Sequence, residues 1–274
     1  MKLLESVDRV IINDANKFYL EETETKYKNY IKELLLMDKK LLKHYLLTLK
    51  NTEILYNQES EEESSLLISL YMNLSKVNSI DKMIEMLKKQ KDITIQDIIN
   101  LHSILMEGTL NSEISDEFRN NNNKFVGSFY NNGEKRIDYI PIDYKEIKNV
   151  MDKITTLINH KNVNNPFILP FIIHALISVA QPFDDGNTRL SRLIQHGKIW
   201  KSTEVYYNTK FDSPILYLSK NYKLTRGQYR ELIKELAIKE DNESWNKWFK
   251  YNLNMVNEQL YYLNNNIKKL VKKS

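Results

Sequence analysis

The run from Pro166 to Ala180 is nearly all apolar and ends abruptly in the polar turn Gln181-Pro182-Phe183-Asp184-Asp185-Gly186-Asn187. It carries His174 and the prolines Pro166 and Pro170, and it falls short of the ~20 apolar residues that span a bilayer. A segment apolar on every side is a helix buried at the centre of a fold rather than on its surface. The turn that follows is therefore presented directly from the core. With only 6 Gly and 5 Pro in 274 residues, turn formers are scarce, and a mainly α-helical chain is expected.

Around that centre, apolar residues recur at three- and four-residue steps. From about Tyr27 to Leu49, the set Ile31, Leu34, Leu35, Met37, Leu41, Leu42, Tyr45, Leu46 and Leu49 predicts one amphipathic helix. The acidic run Glu59 to Glu63 begins or precedes another helix, carried by Leu66, Leu67, Leu70, Tyr71 and Leu74, and its charge suits a helix N-terminus. Thr94-Ile95-Gln96-Asp97 is a capping signal ahead of Ile98, Ile99, Leu101, Ile104 and Leu105. A further helix is marked by Ile147, Val150, Met151, Ile154, Leu157 and Ile158, and two or more are expected after Gly227. Between them, Lys124–Tyr130 and Arg136–Ile142 flank Asn131-Asn132-Gly133 as two short extended runs, a β-hairpin. The fold class expected is all-α with one short β-hairpin.

The 40 basic and 36 acidic residues are interspersed, so the net charge of +4 forms no footprint for nucleic acid. Lys268, Lys269, Lys272 and Lys273 are expected to be a solvated helix end. Cysteine is absent, which excludes disulfides, thiolate metal sites and a cysteine nucleophile. Glu5 and Asp8 interrupt any apolar leader at the N-terminus, so a secretory signal is not expected. The expected location is the cytoplasm, or another cell reached by secretion without a visible signal peptide. No membrane partner is expected, and homo-oligomerisation is left open.

The segment 181–192 has the chemistry of a phosphate loop. Gly186 permits a tight turn, and the N–H groups of Asn187, Thr188 and Arg189 at the start of the next helix can point at an anion. Arg189 and Arg192, three residues apart, can add forked cationic contacts. Asp185 is placed to hold a divalent cation that bridges phosphates, and Phe183 to anchor the loop in the core. An ordinary helix-to-helix connection, its arginines paired with surface carboxylates, explains the same spacing.

These residues resemble the signature of the Fic (Fido) family, His-Pro-Phe-x-(Asp/Glu)-Gly-Asn-Gly-Arg-x-x-Arg, at every position except the first and the eighth. The eighth is Thr188, which keeps the backbone N–H. The likeness spreads to His174, to Glu117-Phe118-Arg119, to the flap from Lys124, Phe125, Val126 and Gly127 through Tyr139-Ile140-Pro141, and to Tyr217-Leu218-Ser219 and Gln228-Tyr229, over roughly residues 40–260. Three regions follow: a helical region at 1–80, a Fic core with flap and loop at 81–215, and C-terminal helices at 216–274. The resemblance implies transfer of AMP from ATP to a Ser, Thr or Tyr hydroxyl of a target protein, with Mg2+ on Asp185. It gives the phosphates to Gly186, Asn187, Thr188, Arg189 and Arg192, the nucleoside to Tyr229, and the target segment to the flap.

Two departures stand out. Gln181 occupies the position of the family's catalytic histidine, and an amide cannot take up a proton at neutral pH. An impaired transferase is expected, whether the glutamine was introduced to silence it or belongs to a natural pseudoenzyme that binds a nucleotide or a protein. A different nucleotide donor is a third reading. Upstream, Thr52-Glu53-Ile54-Leu55-Tyr56-Asn57 fits the frame of the family's inhibitory helix with Tyr56 in the glutamate slot. Glu53, one turn earlier, is the candidate replacement; ordinary surface residues at a helix end fit the frame equally well.

Overall fold

Ten described helices and one hairpin surround the helix formed by the apolar run. The computed structural model describes residues 2–8, 10–56, 78–89, 91–107, 109, 116–129 and 133–271. In chain order the elements are α1 (Lys2–Val7), α2 (Asp14–Leu35), α3 (Lys39–Tyr56), α4 (78–88), α5 (Ile95–Met106), β1 (Val126–Phe129) and β2 (Lys135–Tyr139). After a single 3-10 turn at Tyr144–Glu146 come α6 (Ile147–Asn159), α7 (Ile168–Ala180), α8 (Asn187–Tyr206), α9 (Ser219–Leu224), α10 (Arg226–Lys239) and α11 (Asn242–Val271). The acidic run Glu59–Glu63, the helix expected over Leu66–Leu74, and Asn57, Asn131, Asn132, Lys272 and Lys273 lie outside the described residues.

The central helix is α7, buried at every residue from Pro170 to Ala180. Its start is set by Asn165, whose side-chain oxygen accepts from the N–H groups of Phe167 (2.9 Å) and Ile168 (2.8 Å). Pro170 falls in the first turn, where the missing N–H costs nothing. Helix α8 packs along α7, with α6, α10 and α11 around them and α2 against α11. Trp245, Trp248 and Phe249 of α11 are fully enclosed. Among the described residues no helix is long and apolar enough to cross a membrane.

The capping box at Thr94 forms as expected, with the Thr94 hydroxyl accepting from the Asp97 N–H and the Asp97 carboxylate from the Thr94 N–H. The single helix expected from Tyr27 to Leu49 is instead two. Asp38 breaks it, since its carboxylate accepts from the N–H groups of Lys40 and Leu41, both at 2.9 Å, and so caps α3. The apolar repeat runs across the break, which hides it from periodicity alone.

The hairpin is antiparallel, with Gly127 opposite Ile137 and an irregularity between Val126 and Gly127. A Cβ at position 127 would sit 1.9 Å from the Arg136 carbonyl oxygen, so this close strand approach requires glycine. Arg230 of α10 holds the hairpin down by donating to the Gly127 carbonyl (3.2 Å) and to Asp138 (3.3 Å).

Candidate functional site

The loop between α7 and α8 is built from reciprocal bonds. Gln181 ends α7 in the left-handed conformation (φ 49°), and Gly186 opens α8 in the same region (φ 75°). Asn187 closes the turn on itself, accepting from the Phe183 N–H (2.9 Å) and donating to the Phe183 carbonyl (2.8 Å). Phe183 is fully buried and stacks on His102 at 3.7 Å, and His102 Nε2 lies 2.9 Å from the Asp185 carbonyl oxygen. Gly186 sits so close to α5 that a Cβ there would meet Met106 Sδ at 2.5 Å and His102 Nε2 at 2.9 Å. No side chain caps the start of α8, and the first turn of any helix leaves its N–H groups without helical acceptors.

Arg119 joins this loop to the flap. Its backbone N–H donates to the Pro182 carbonyl (3.0 Å), and its side chain donates to the carbonyls of Gln181 (2.8 Å), Asn121 (3.0 Å), Ala180 (3.4 Å) and Ile142. Lys124 adds a bond to the Asp184 carbonyl at 2.6 Å. The Gln181 side chain is engaged at both ends, its Nε2 donating to the Ser178 carbonyl (2.7 Å) and its Oε1 accepting from Asn187 Nδ2 (3.1 Å).

Beside the loop opens a cavity of about 230 Å3 between the flap, α7, α8, α9 and α10. Gln181, Thr188 and Arg192 form its loop side, Val126 and Gly127 its flap side, and Tyr229 its α10 side. Lys223, Arg226 and Arg230 complete a cationic wall opposed by one acid, Asp138. Asp185 and Arg189 do not line it. The Arg189 guanidinium is buried against Met106 Sδ (3.0 Å), 3.6 Å from Asp185 Oδ2. Asp185 Oδ1 accepts from the Gly186 N–H at 2.6 Å. Phe125, on the flap approach, lies under the Lys135 ammonium at 4.9 Å.

The cationic wall was not among the residues expected from sequence, although a signal exists. Tyr222, Lys223, Arg226, Tyr229, Arg230 and Ile233 recur at one-, three- and four-residue steps, a single face of α9 and α10 that reads like a solvated charged stripe.

At the upstream frame, Thr52 borders a different cavity, between α3, α9 and α11, and Tyr56 carries the Lys220 ammonium over its ring at 5.6 Å. Glu53 is the buried member. It accepts from the Ser219 hydroxyl at 2.5 Å and lies 3.4 Å from His196 Nδ1. The Leu218 N–H donates to His196 Nε2 (3.0 Å), so a neutral His196 carries its proton on Nδ1, facing Glu53. Burial holds His196 well below its usual range, so the contact is not an ion pair. Burial pushes the Glu53 carboxyl up to about 7, with Ser219 and the positive charge of Arg192 pulling the other way.

A carboxyl raised in the folded state stabilises the fold below its unfolded pKa and loses that contribution as pH rises through the folded value. Relative to Glu53→Gln, the unsubstituted chain is therefore expected to lose about 3 kcal/mol of stability between about pH 5 and pH 8. Denaturant midpoints for both forms across that range check it. Parallel pH profiles would contradict it.

Comparison with known proteins now bears on this geometry. Residues 92–196 match the model of the Fic/DOC family. Over those residues the chain is similar to the Fic/DOC family. The surrounding helices extend the likeness. A Fic family protein from Desulfovibrio desulfuricans G20 aligns over 92% of this chain and 74% of its own, at TM-score 0.59 and 15% identity. A Fic domain containing signaling protein from Bacteroides thetaiotaomicron VPI-5482 aligns over 92% and 94%, at 0.57 and 15%. Residues 134–508 of Fic-1 from C. elegans align over 95% and 74%, at 0.60 and 14%. At such identities the likeness is one of fold. No curated protein matches the chain in sequence. The Fic/DOC match ends at His196, so α9 and α10, with most of the cationic wall, lie beyond it.

Proposed function

We propose that this protein is a Fic/DOC nucleotidyltransferase, moving AMP from ATP to a Ser, Thr or Tyr hydroxyl of a target protein, and that Gln181 attenuates the reaction. The observation that carries this is the single cavity joining Gln181, Thr188 and Arg192 to Tyr229 and the flap, walled by Lys223, Arg226 and Arg230. Clustered cations beside the start of a helix suit a polyphosphate. In this assignment the first-turn N–H groups and Arg192 hold phosphate oxygens, Tyr229 borders the nucleoside, and the flap receives the target segment as an added strand.

Among the described residues, no group of three or more His, Cys, Asp or Glu side chains could hold a metal ion. Asp185, at 38% exposure, fits a different arrangement, in which Mg2+ takes one or two carboxylates and completes its shell with substrate phosphates and water. The ion would neutralise phosphate charge there.

The Gln181 carbonyl can accept a hydrogen bond from an acceptor hydroxyl but cannot remove its proton. Its engagement at both ends favours a second reading, a nucleotide- or protein-binding module that transfers little. Labelled ATP, GTP, CTP and UTP with Mg2+, offered to the chain and to Gln181→His, separate the readings. Labelling from ATP in the histidine form supports the transferase. Binding without labelling in either form supports the module, and labelling from another nucleotide reassigns the donor.

A further inference from the structure

A run of buried side chains connects the cavity wall at Tyr229 to the backbone of α11, and its hydrogen-bond directions are fixed from the far end. Asn252 Nδ2 donates to the Trp248 carbonyl at 2.8 Å, so Asn252 Oδ1 faces Tyr222 as an acceptor. The Tyr222 hydroxyl has two acceptors in reach, Asn252 Oδ1 at 2.5 Å and Gln195 Oε1 at 3.1 Å, and the nearer one takes its only proton. Its own oxygen then receives Gln195 Nε2 at 2.8 Å, and this turns Gln195 Oε1 toward His174 Nδ1.

A carbonyl oxygen can only accept, so His174 carries its proton on Nδ1 and leaves Nε2 bare. The Tyr229 hydroxyl, 2.9 Å from Nε2, donates to this bare nitrogen in preference to the more distant Ser178 Oγ. Ser178 Oγ stands 3.0 Å from the Tyr229 oxygen on the other side. Tyr222, Tyr229 and Trp248 pack around the His174 ring at centroid distances of 5.2–5.6 Å.

From this chain of bonds we infer that His174 is a positioning residue, which keeps the Tyr229 proton turned into the core so that the cavity meets Tyr229 as an aromatic surface and not as a hydrogen-bond donor. Asn252 sets that orientation without bordering the cavity. The assignment rests on the proposed nucleotide site for its function, while the bond directions stand apart from it. Burial supports them by holding His174 down at about 3, neutral across the working range. On this basis Tyr229 contributes stacking, which tolerates any base.

The experiment has two arms. In the first, 15N-labelled histidine in the intact protein is followed by NMR, with the His174 signals assigned by their loss in His174→Gln. The expected pattern is a neutral ring protonated at Nδ1 and unchanged between pH 5 and pH 8. An Nε2-protonated ring, or titration in that interval, would overturn the inference even if the protein binds no nucleotide.

In the second arm, Mg·ATP is titrated into the unsubstituted chain, Tyr229→Phe, Asn252→Leu and the double variant, with thermal melts confirming that each is folded. Each single substitution is expected to weaken binding roughly threefold to tenfold, because the stacking ring is no longer held in place by its bond to His174, and the double variant no further. Undiminished affinity in folded Asn252→Leu, or losses that multiply, would overturn the positioning role. Absence of binding by the unsubstituted chain would instead defeat the nucleotide assignment, and the NMR arm would still decide the bond directions.

Discussion

Gln181→His is expected to raise transfer of labelled AMP by ~10²–10⁴-fold over the chain as it stands, the usual worth of a positioned general base. The substitution should leave the loop in place, because its geometry is held by the backbone. The Gln181 N–H donates to Ile177 at 3.0 Å, its carbonyl receives Arg119 Nε at 2.8 Å, and histidine is among the residues that tolerate a left-handed backbone. What changes is the group facing Asn187 and Ser178. An imidazole can take the hydroxyl proton that an amide cannot. Autoradiography of the chain and the variant after incubation with ATP and Mg2+ reads the difference. Equal, negligible labelling in both, with ATP bound, would move the protein to the binding-module reading.

Arg119→Met is expected to be the most damaging single change to stability, on the order of 3–5 kcal/mol, because it leaves several buried carbonyls unsatisfied at once. Arg119 is 4% exposed, and burial pulls its guanidinium below the ordinary range, yet arginine stays charged and its fork still reaches four carbonyls. Three of those carbonyls belong to Ala180, Gln181 and Ile142, at the active loop and the base of the flap. Loss of the bonds should therefore unlock both together. Arg230→Ala is the useful contrast, since Arg230 is 39% exposed and Arg136 stays beside Asp138 at 3.6 Å, and it is expected to cost only about 1 kcal/mol. Urea midpoints of the two variants measure the gap; equal small shifts would show that Arg119 is not the joint.

The parts legible in the sequence are those governed by local rules. Thr94 and Asp97 announce their capping box, Asn131-Asn132-Gly133 announces a hairpin through its flanking runs, and the uniform apolarity of 166–180 places α7 in the core. What stayed hidden depends on three-dimensional neighbours. Asp38 looks like one more polar residue in an amphipathic repeat until its carboxylate is seen on two backbone N–H groups. Lys223, Arg226 and Arg230 have the spacing of a solvated stripe, and only the placement of α10 against the flap turns them into a cavity wall. At the upstream frame, attention falls on Tyr56, whereas the fold buries Glu53 against Ser219 and His196, within the field of Arg192. The order of protons from Asn252 to Tyr229 is likewise invisible in a string of letters, since it joins α11, α9, α8, α7 and α10.

The central claim, that the cavity beside Gln181 holds a nucleotide by its phosphates, is tested most directly by calorimetric titration of Mg·ATP into the unsubstituted chain and into Arg192→Ala. Saturable one-site binding is predicted for the chain as it stands, weakened at least roughly tenfold in the variant, because removing a buried charge-assisted contact costs about 1.5–3 kcal/mol. No binding by the unsubstituted chain, or binding undiminished in a folded Arg192→Ala, would contradict it.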